Sequence, residues 1–529
     1  MAWRVVLWLL WFPMWLLKCV MKPFISLRYI RRSKKLPPIR NKLLLHSATA
    51  LAHMIRNRQV TSEEVVKAFI SRIRDVNPLL NCMMDNRFEA AILDARYVDR
   101  VVQTGAKSEQ QMAKETPFFG VPLSVKESIA VKGLKHSAGQ LRFEGRRAQE
   151  DAEAVKLMRA SGAIPLLVTS TPELCMMIET YNKIIGTTNN PYDLRRTPSG
   201  SSGGEAALLA SAGSVIGLGS DIGGSLRIPA AFTGIFAHKP TPGVVSHSGH
   251  NPTSTDENWG RFFTIGPMSR YAEDLAAMLK VLAHENADKL QLDEKVDIRT
   301  IKVYYMQDDG GSVLTNGVSR EIKEAIARVV EYLQTTHAIV AQKVDIKEMR
   351  HANALSGPII IQLNGITSVH RTDVHPKPWG SIFMDLLRFC TCLSDCTFTT
   401  ICYAILKKLS LLIPTAKLQK LKNRNESLKK EFSQLLGNNG VFLYPTFIDC
   451  ANFHLESYYK MLNLSYTMIM NALELPVTNC HVGMNKQGLP IGIQVVAAPF
   501  QDRLSLAVAK EIEVAFGGWV EPPASEKVA

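Results

Sequence analysis

Apolar and polar positions follow three different patterns along this chain. From Val5 to Leu17 the residues are apolar without interruption. From about Leu43 onward the pattern becomes that of a folded body. Thr61-Ser62-Glu63-Glu64 forms a capping box ahead of Val65, Val66, Phe69, Ile70 and Ile73 at helical spacing, and Asn77-Pro78 is expected to end that helix. A helix over Asp151–Ala160 stops at Ser161-Gly162, and Ala163–Val168 follows as a buried strand. Val215–Gly219 is a further strand, and Ile301–Met306, Val318–Thr336 and Ala338–Val344 repeat strand, helix and strand. This alternation predicts an α/β fold with a mixed, largely parallel sheet.

The third pattern is a second apolar stretch, residues 381–414, broken by Asp385, Arg388, Asp395, Lys407 and Lys408. Those charges argue against a transmembrane span. Two readings fit: a buried helix pair, or an amphipathic cap that touches lipid or gates a substrate channel.

Composition and charge narrow the picture. Hydrophobic content of 46% and charged content of 21% over 529 residues exclude disorder as the main state. The net charge of +14 is concentrated early, from Lys18 to Lys42, without one acidic residue. These basic residues follow the apolar N-terminus rather than alternating with aromatics, so a membrane fits better than nucleic acid. The Val5–Leu17 run is shorter than the roughly 20 residues of a full span, unless Lys18 snorkels and Cys19-Val20-Met21 extend it. No small-residue cleavage site follows, which favours an uncleaved anchor over a signal peptide. The expected organisation is an anchor over 1–22, spanning or monotopic, a basic linker over 23–42, and a catalytic body over 43–521. The basic flank places that body in the cytosol, and the endoplasmic reticulum or a lipid droplet is the expected membrane. Asn425-Glu426-Ser427 and Asn463-Leu464-Ser465 are formal glycosylation sequons.

Nine cysteines, an odd number, argue against a full disulfide framework, and no Cys-x-x-Cys pairs suggest structural zinc. The group Cys390, Cys392, Cys396 and Cys402 is expected as buried thiols. No metal and no cofactor is expected.

Three segments carry candidate chemistry. Gly120-Val121-Pro122-Leu123-Ser124-Val125-Lys126-Glu127-Ser128 places Lys126 beyond a short strand, although this fragment alone favours a surface lysine. Ser199-Gly200-Ser201-Ser202-Gly203-Gly204-Glu205 runs straight into apolar Ala206–Ala210, a loop opening into a helix rather than a free linker. Gly219-Ser220-Asp221-Ile222-Gly223-Gly224-Ser225-Leu226-Arg227-Ile228-Pro229 joins a strand to a helix through a glycine turn, presenting Ser225 beside free backbone N–H groups. A phosphate loop is excluded by the glycine spacing and by Asp221, which would repel the anion. A serine nucleophile needs a base, and no histidine falls in the three segments. A lysine serves if burial lowers its pKa from near 10.4 by roughly three, about 4 kcal/mol.

Together these residues resemble the amidase signature family. The likeness is continuous from about Gly120 to Pro242 and resumes at Ala472-Leu473-Glu474-Leu475-Pro476 and Gly488-Leu489-Pro490-Ile491-Gly492-Ile493-Gln494. The apolar N-terminus, Ile222 and Glu205 are most similar to its fatty-acid amide hydrolase branch, the second form in particular. The resemblance implies a large twisted mixed β-sheet core flanked by helices, with a hydrophobic N-terminal segment. It implies Lys126 as general base, Ser201 as bridge on a cis peptide, and Ser225 as nucleophile. The backbone N–H groups of Ile222, Gly223, Gly224 and Ser225 would form the oxyanion hole, with Gly200, Ser202, Asp221 and Arg227 supporting the loops. A lipid amide substrate, such as oleamide or an N-acylethanolamine, a membrane and a homodimer are the implied partners. Ser199 departs from the family's usual glycine and restricts the loop, while Ser201 is retained. An amidase for smaller amides, an amidotransferase subunit and a catalytically silent membrane-associated binding protein are the alternatives. The anchor speaks against the amidotransferase, and the intact Lys126/Ser201/Ser225 set against the silent protein.

Overall fold

The computed structural model describes residues 16, 18–25, 27–29, 33–366 and 379–525, and within them eleven strands join in one sheet. In chain order these are β1 (Met83–Asn86), β2 (Pro122–Lys126), β3 (Ile164–Thr169), β4 (Ile216–Asp221), β5 (Phe236–Lys239), β6 (Thr264–Ser269), β7 (Lys302–Tyr305), β8 (Gln342–Lys343), β9 (Gly440–Pro445), β10 (Val477–Met484) and β11 (Pro490–Ala497). Their order across the sheet is β1-β3-β2-β4-β6-β5-β10-β11-β9-β7-β8. Parallel pairing is confined to β3–β2–β4 and β9–β7–β8. The centre, from β4 to β9, is antiparallel, as is the β1 edge. The sheet is therefore mixed but not largely parallel. One reason is that β10 and β11 are joined by a short turn, which permits only antiparallel pairing, whereas parallel neighbours need a longer crossover.

Helices cover the sheet. Those that bear on function are α1 (Ser62–Leu80), α2 (Glu153–Ala160), α3 (Gly203–Ala210), α4 (Arg227–Thr233), α5 (Arg320–His337), α6 (Ala352–Ile361), α7 (Trp379–Cys390), α8 (Phe398–Ser410), α9 (Thr415–Leu436) and α10 (Ser465–Ala472). The capping box of α1 forms as expected, with Thr61 and Glu64 bonding each other reciprocally. The helix nevertheless continues past Asn77. Pro78 falls in the last turn, where its missing N–H forfeits a single bond. Asn77 Oδ1 instead accepts the N–H groups of Cys82 and Met83, each at 3.0 Å, and left-handed Asn81 closes the helix. The predicted strand over Ala338–Val344 shrinks to the two exposed residues of β8, at the sheet edge.

Every residue of α3, α4 and strands β2, β3 and β4 is buried. A helix hydrophobic on all sides, as Gly203–Ala210 is apart from Glu205, is stable only inside a large core. The three segments singled out in the sequence enter or leave these buried elements.

The apolar 381–414 stretch forms α7 and α8, packed on one side and exposed on the other. Ile382, Cys396 and Ile401 pack with Ala138 and Leu174 in a small second core. The opposite side exposes Phe383, Met384, Leu387, Leu393, Leu411 and Leu412. Cys390 and Cys392 are exposed at the end of α7, contrary to the expectation of buried thiols; Cys396 is buried.

Most of the expected anchor, residues 1–22, lies outside the described residues. Residues 18–25 are helical, with Val20 and Phe24 62% and 75% exposed and Ile25 buried. Among the described residues no helix is long and apolar enough to cross a membrane. Tyr29 stacks on Phe453 at 5.5 Å, and buried Leu36 bridges to Ala524, so the basic segment leads directly onto the body.

Candidate active site

Lys126 ends β2 and is held between β3 and β4 with no solvent exposure. Its Nζ lies within hydrogen-bond distance of Ser201 Oγ, at 2.7 Å, and of Ser220 Oγ, at 3.0 Å. Burial drives its pKa below the ordinary lysine value, while the Cys175 thiol and the Asp221 and Glu205 carboxylates pull the other way. A lysine so placed can be a neutral amine, as a base must be. Beneath it Glu205 accepts hydrogen bonds from Ser124 Oγ and, at 2.8 Å, from Thr169 Oγ1; burial pushes its carboxyl up to about 7.

Ser201 lies in the loop that feeds α3, and the Gly200–Ser201 peptide is cis. The loop is pinned from one side: Thr171 Oγ1 donates to Ser201 O at 3.1 Å and Thr180 Oγ1 to Ser199 O at 2.7 Å. Gly200 faces the Met177 carbonyl, 2.5 Å from where a Cβ would stand, so no side chain fits there. Ser199 is left-handed, φ +68°, and its buried hydroxyl has no partner, which is the physical reason glycine suits this position better. Ser202 N donates to Ser225 O at 3.2 Å, stitching this loop to the turn that carries Ser225.

That turn is organised by Asp221, at the end of β4. Its carboxylate accepts from Gly224 N at 2.7 Å, Leu226 N at 3.0 Å, Arg227 Nε at 3.1 Å and Asn471 Nδ2 at 2.9 Å. Burial alone would raise its pKa, but Arg227 and these bonds outweigh it and hold the carboxyl well below the usual range. Arg227, fully buried, also donates to Thr467 O at 3.1 Å and Gln494 Oε1 at 3.0 Å. Both residues thus support the loop. The cluster also amends the expected oxyanion hole: the Gly224 N–H is taken by Asp221, whereas no acceptor among the described residues takes those of Ile222, Gly223 or Ser225. Gly224 has φ +122°, and a Cβ there would run into Thr467.

Ser225 is partly exposed, while Lys126 and Ser201 are buried. Of the three, Ser225 is the one open to an incoming molecule. The arrangement can move a proton from a surface hydroxyl to a buried amine and offer N–H donors to a developing oxyanion. Sequence reasoning missed Cys175, Thr171, Ser220 and His250 around Lys126. Only Ser220, one residue before Asp221 in the glycine-rich segment, stood where a sequence signal could have pointed.

Elsewhere, Glu321, Asp449 and Cys450 bring ligand-type atoms within 4.8 Å of one another. Asn485 Nδ2 already donates to Glu321 at 3.0 Å and Lys460 lies 3.9 Å from Asp449, so the protein itself answers these charges. Both sequon asparagines are buried, with their amides donating to Ala472 O at 2.9 Å for Asn425 and to Asn316 Oδ1 at 3.0 Å for Asn463.

A family profile described as Amidase matches residues 64–506. The chain is 43% identical over 500 residues to human (Homo sapiens) fatty-acid amide hydrolase 2, covering 93% of this chain and 92% of that protein. It is 40% identical over 494 residues to zebrafish (Danio rerio) fatty-acid amide hydrolase 2-A, covering 92% of each. Among solved structures it shares the fold of a fatty acid amide hydrolase, with a TM-score of 0.68, 23% identity and coverage of 92% of this chain and 87% of that one. It likewise shares the fold of a 6-aminohexanoate cyclic dimer hydrolase solved with its substrate, with a TM-score of 0.71, 22% identity and coverage of 91% and 99%.

Proposed function

The chain belongs to the amidase signature family and is an amide hydrolase, and from that premise we propose that it cleaves fatty-acid amides through an acyl-enzyme on Ser225. In this reading Lys126 takes a proton from Ser201 as Ser201 takes one from Ser225, and the freed Ser225 oxygen attacks the amide carbonyl. The oxyanion is met by the N–H groups of Ile222, Gly223 and Ser225. The proton returns through Ser201 to the leaving nitrogen, the C–N bond breaks, and water then releases the fatty acid by the same relay. The observation that carries the reading is the buried Lys126–Ser201 contact of 2.7 Å, in a loop bonded through Ser202 N to the turn of partly exposed Ser225.

Two features support a lipid substrate drawn from a membrane. The relatives of closely similar length are named for fatty-acid amides. The exposed apolar side of α7 and α8, and the exposed Val20 and Phe24, would sit on a bilayer surface in a monotopic rather than spanning arrangement. The inner side of the same hairpin packs on Leu174, next to Cys175, which bears on the Lys126 amine.

The test is fluorophosphonate labelling of the purified protein against Ser225→Ala, followed by hydrolysis of long-chain and short-chain amides. Labelling that depends on Ser225, with long chains preferred, is expected. No such labelling would overturn the mechanism; equal turnover of short amides would overturn the lipid specificity.

A further inference from the structure

The polar environment of Lys126 extends one residue beyond the serines, to His250. This side chain is buried, and its ring lies 4.5 Å from that of Phe263. Its Nδ1 is 2.7 Å from the Pro252 carbonyl oxygen, and its Nε2 is 3.0 Å from Ser220 Oγ. Ser220 Oγ is in turn the second acceptor of the Lys126 amine, at 3.0 Å.

The direction of every bond in this chain follows from one end. A backbone carbonyl can only accept, so His250 Nδ1 carries the ring proton. The ring is neutral: burial pushes its pKa down to about 3. A neutral imidazole protonated on Nδ1 has a bare Nε2, which can only accept. Ser220 must therefore donate its hydroxyl proton to His250, and its oxygen must accept from Lys126. A neutral lysine amine has two N–H bonds and one lone pair. One N–H is thus fixed on Ser220, away from Ser201.

We propose that His250 is a positioning residue for the proton relay: it holds the Ser220 hydroxyl turned away from Lys126, so that the amine's lone pair is left facing Ser201. This rests on the lysine–serine reading above and deepens it. Without His250, Ser220 is free to rotate and donate its proton to the lysine lone pair. That would occupy the one site able to receive a proton from Ser201. The defect would fall on proton transfer and not on substrate binding, since His250 lies behind the buried lysine.

Three variants test this in the full-length protein. His250→Asn keeps an amide N–H for Pro252 but has nothing that reaches Ser220. His250→Gln offers an oxygen at the position of Nε2. Ser220→Ala removes the hydroxyl that needs orienting. The readouts are the second-order rate of Ser225 labelling by a small fluorophosphonate, and kcat and KM on a long-chain amide. The expected result for His250→Asn is a loss of about ten-fold in labelling rate and kcat with KM unchanged. His250→Gln should recover most of that loss, and adding His250→Asn to Ser220→Ala should cost nothing further. Unaltered labelling of His250→Asn, or an equal loss in the Ser220→Ala background, would overturn the role of His250. Should His250→Asn not fold, failure of His250→Gln, checked as folded by thermal melting, to label within a few-fold of the unaltered protein would do the same. Absence of Ser225 labelling in the unaltered protein would instead overturn the hydrolase mechanism, and the relay with it.

Discussion

Lys126 Nζ and Ser201 Oγ lie 2.7 Å apart with both side chains closed off from solvent, so the amine's proton affinity is set by the protein interior and not by water. Burial lowers the lysine pKa, and protonation removes the lone pair that the proposed relay uses. Ser225 labelling should therefore fall as pH drops through that lowered value, with an acid limb below the ordinary lysine range. Lys126→Ala should lose about 10²–10⁴ in labelling rate near neutral pH and with it the pH dependence. Stability follows the same sign. The unfolded chain binds the lysine proton more tightly, so below the ordinary lysine pKa the buried amine makes the fold less stable as pH falls, and Lys126→Met should melt higher than the unaltered protein at mildly acidic pH. A labelling rate independent of pH would exclude Lys126 as the base.

Asp221 and Arg227 form an ion pair with neither side chain exposed, at 3.0 Å between Oδ1 and Nη2. Asp221→Asn leaves the arginine charge buried without its counter-ion and should destabilise the fold by about 3–5 kcal/mol in chemical denaturation. The folded-state pKa of Asp221 is depressed, so its stabilisation is present above the unfolded carboxylate pKa and is lost as pH falls through the folded value. The gap between the two proteins should accordingly be constant from neutral pH to about pH 5, and close only in stronger acid.

Ser199 combines a positive φ with an unpartnered buried hydroxyl. Ser199→Gly relieves both and should raise stability by about 1 kcal/mol, seen as a higher Tm. Labelling of Ser225 should be retained, because Ser201 keeps its bond to Lys126. A lower Tm would show that the loop tolerates the serine without strain.

The outer side of α7 and the segment after α8 carries Phe383, Leu387 and Leu412, which are 67%, 50% and 73% exposed. Replacing the three with serine should weaken co-sedimentation with phosphatidylcholine vesicles at least ten-fold, given about 1.5 kcal/mol or more for each large apolar side chain buried. Ser225 labelling by a water-soluble probe should be unchanged, since these residues face away from the small core that contains Leu174. Vesicle binding that survives the triple substitution would place the lipid contact elsewhere.

Much of this molecule was legible in its sequence because the decisive signals are local. The Thr61 capping box, the strand–loop–helix order at Lys126, Ser201 and Ser225, and the alternation predicting a mixed α/β sheet all depend on residues within a few positions of one another. Other properties belong only to the tertiary structure. The turn that carries Ser225 is closed by Thr467 and Asn471, brought from α10 more than 200 positions away. His250 carries no motif; its relation to Lys126 exists because the chain after β5 returns across the buried end of β4. Which apolar residues of the 381–414 helices meet water was equally undetermined, because exposed Phe383 and Leu387 are as apolar as buried Ile382, and only packing on Ala138 and Leu174 separates them. Local pattern follows from the backbone geometry of each segment. Partners follow from which segments the core draws together, and that is decided by the whole chain at once.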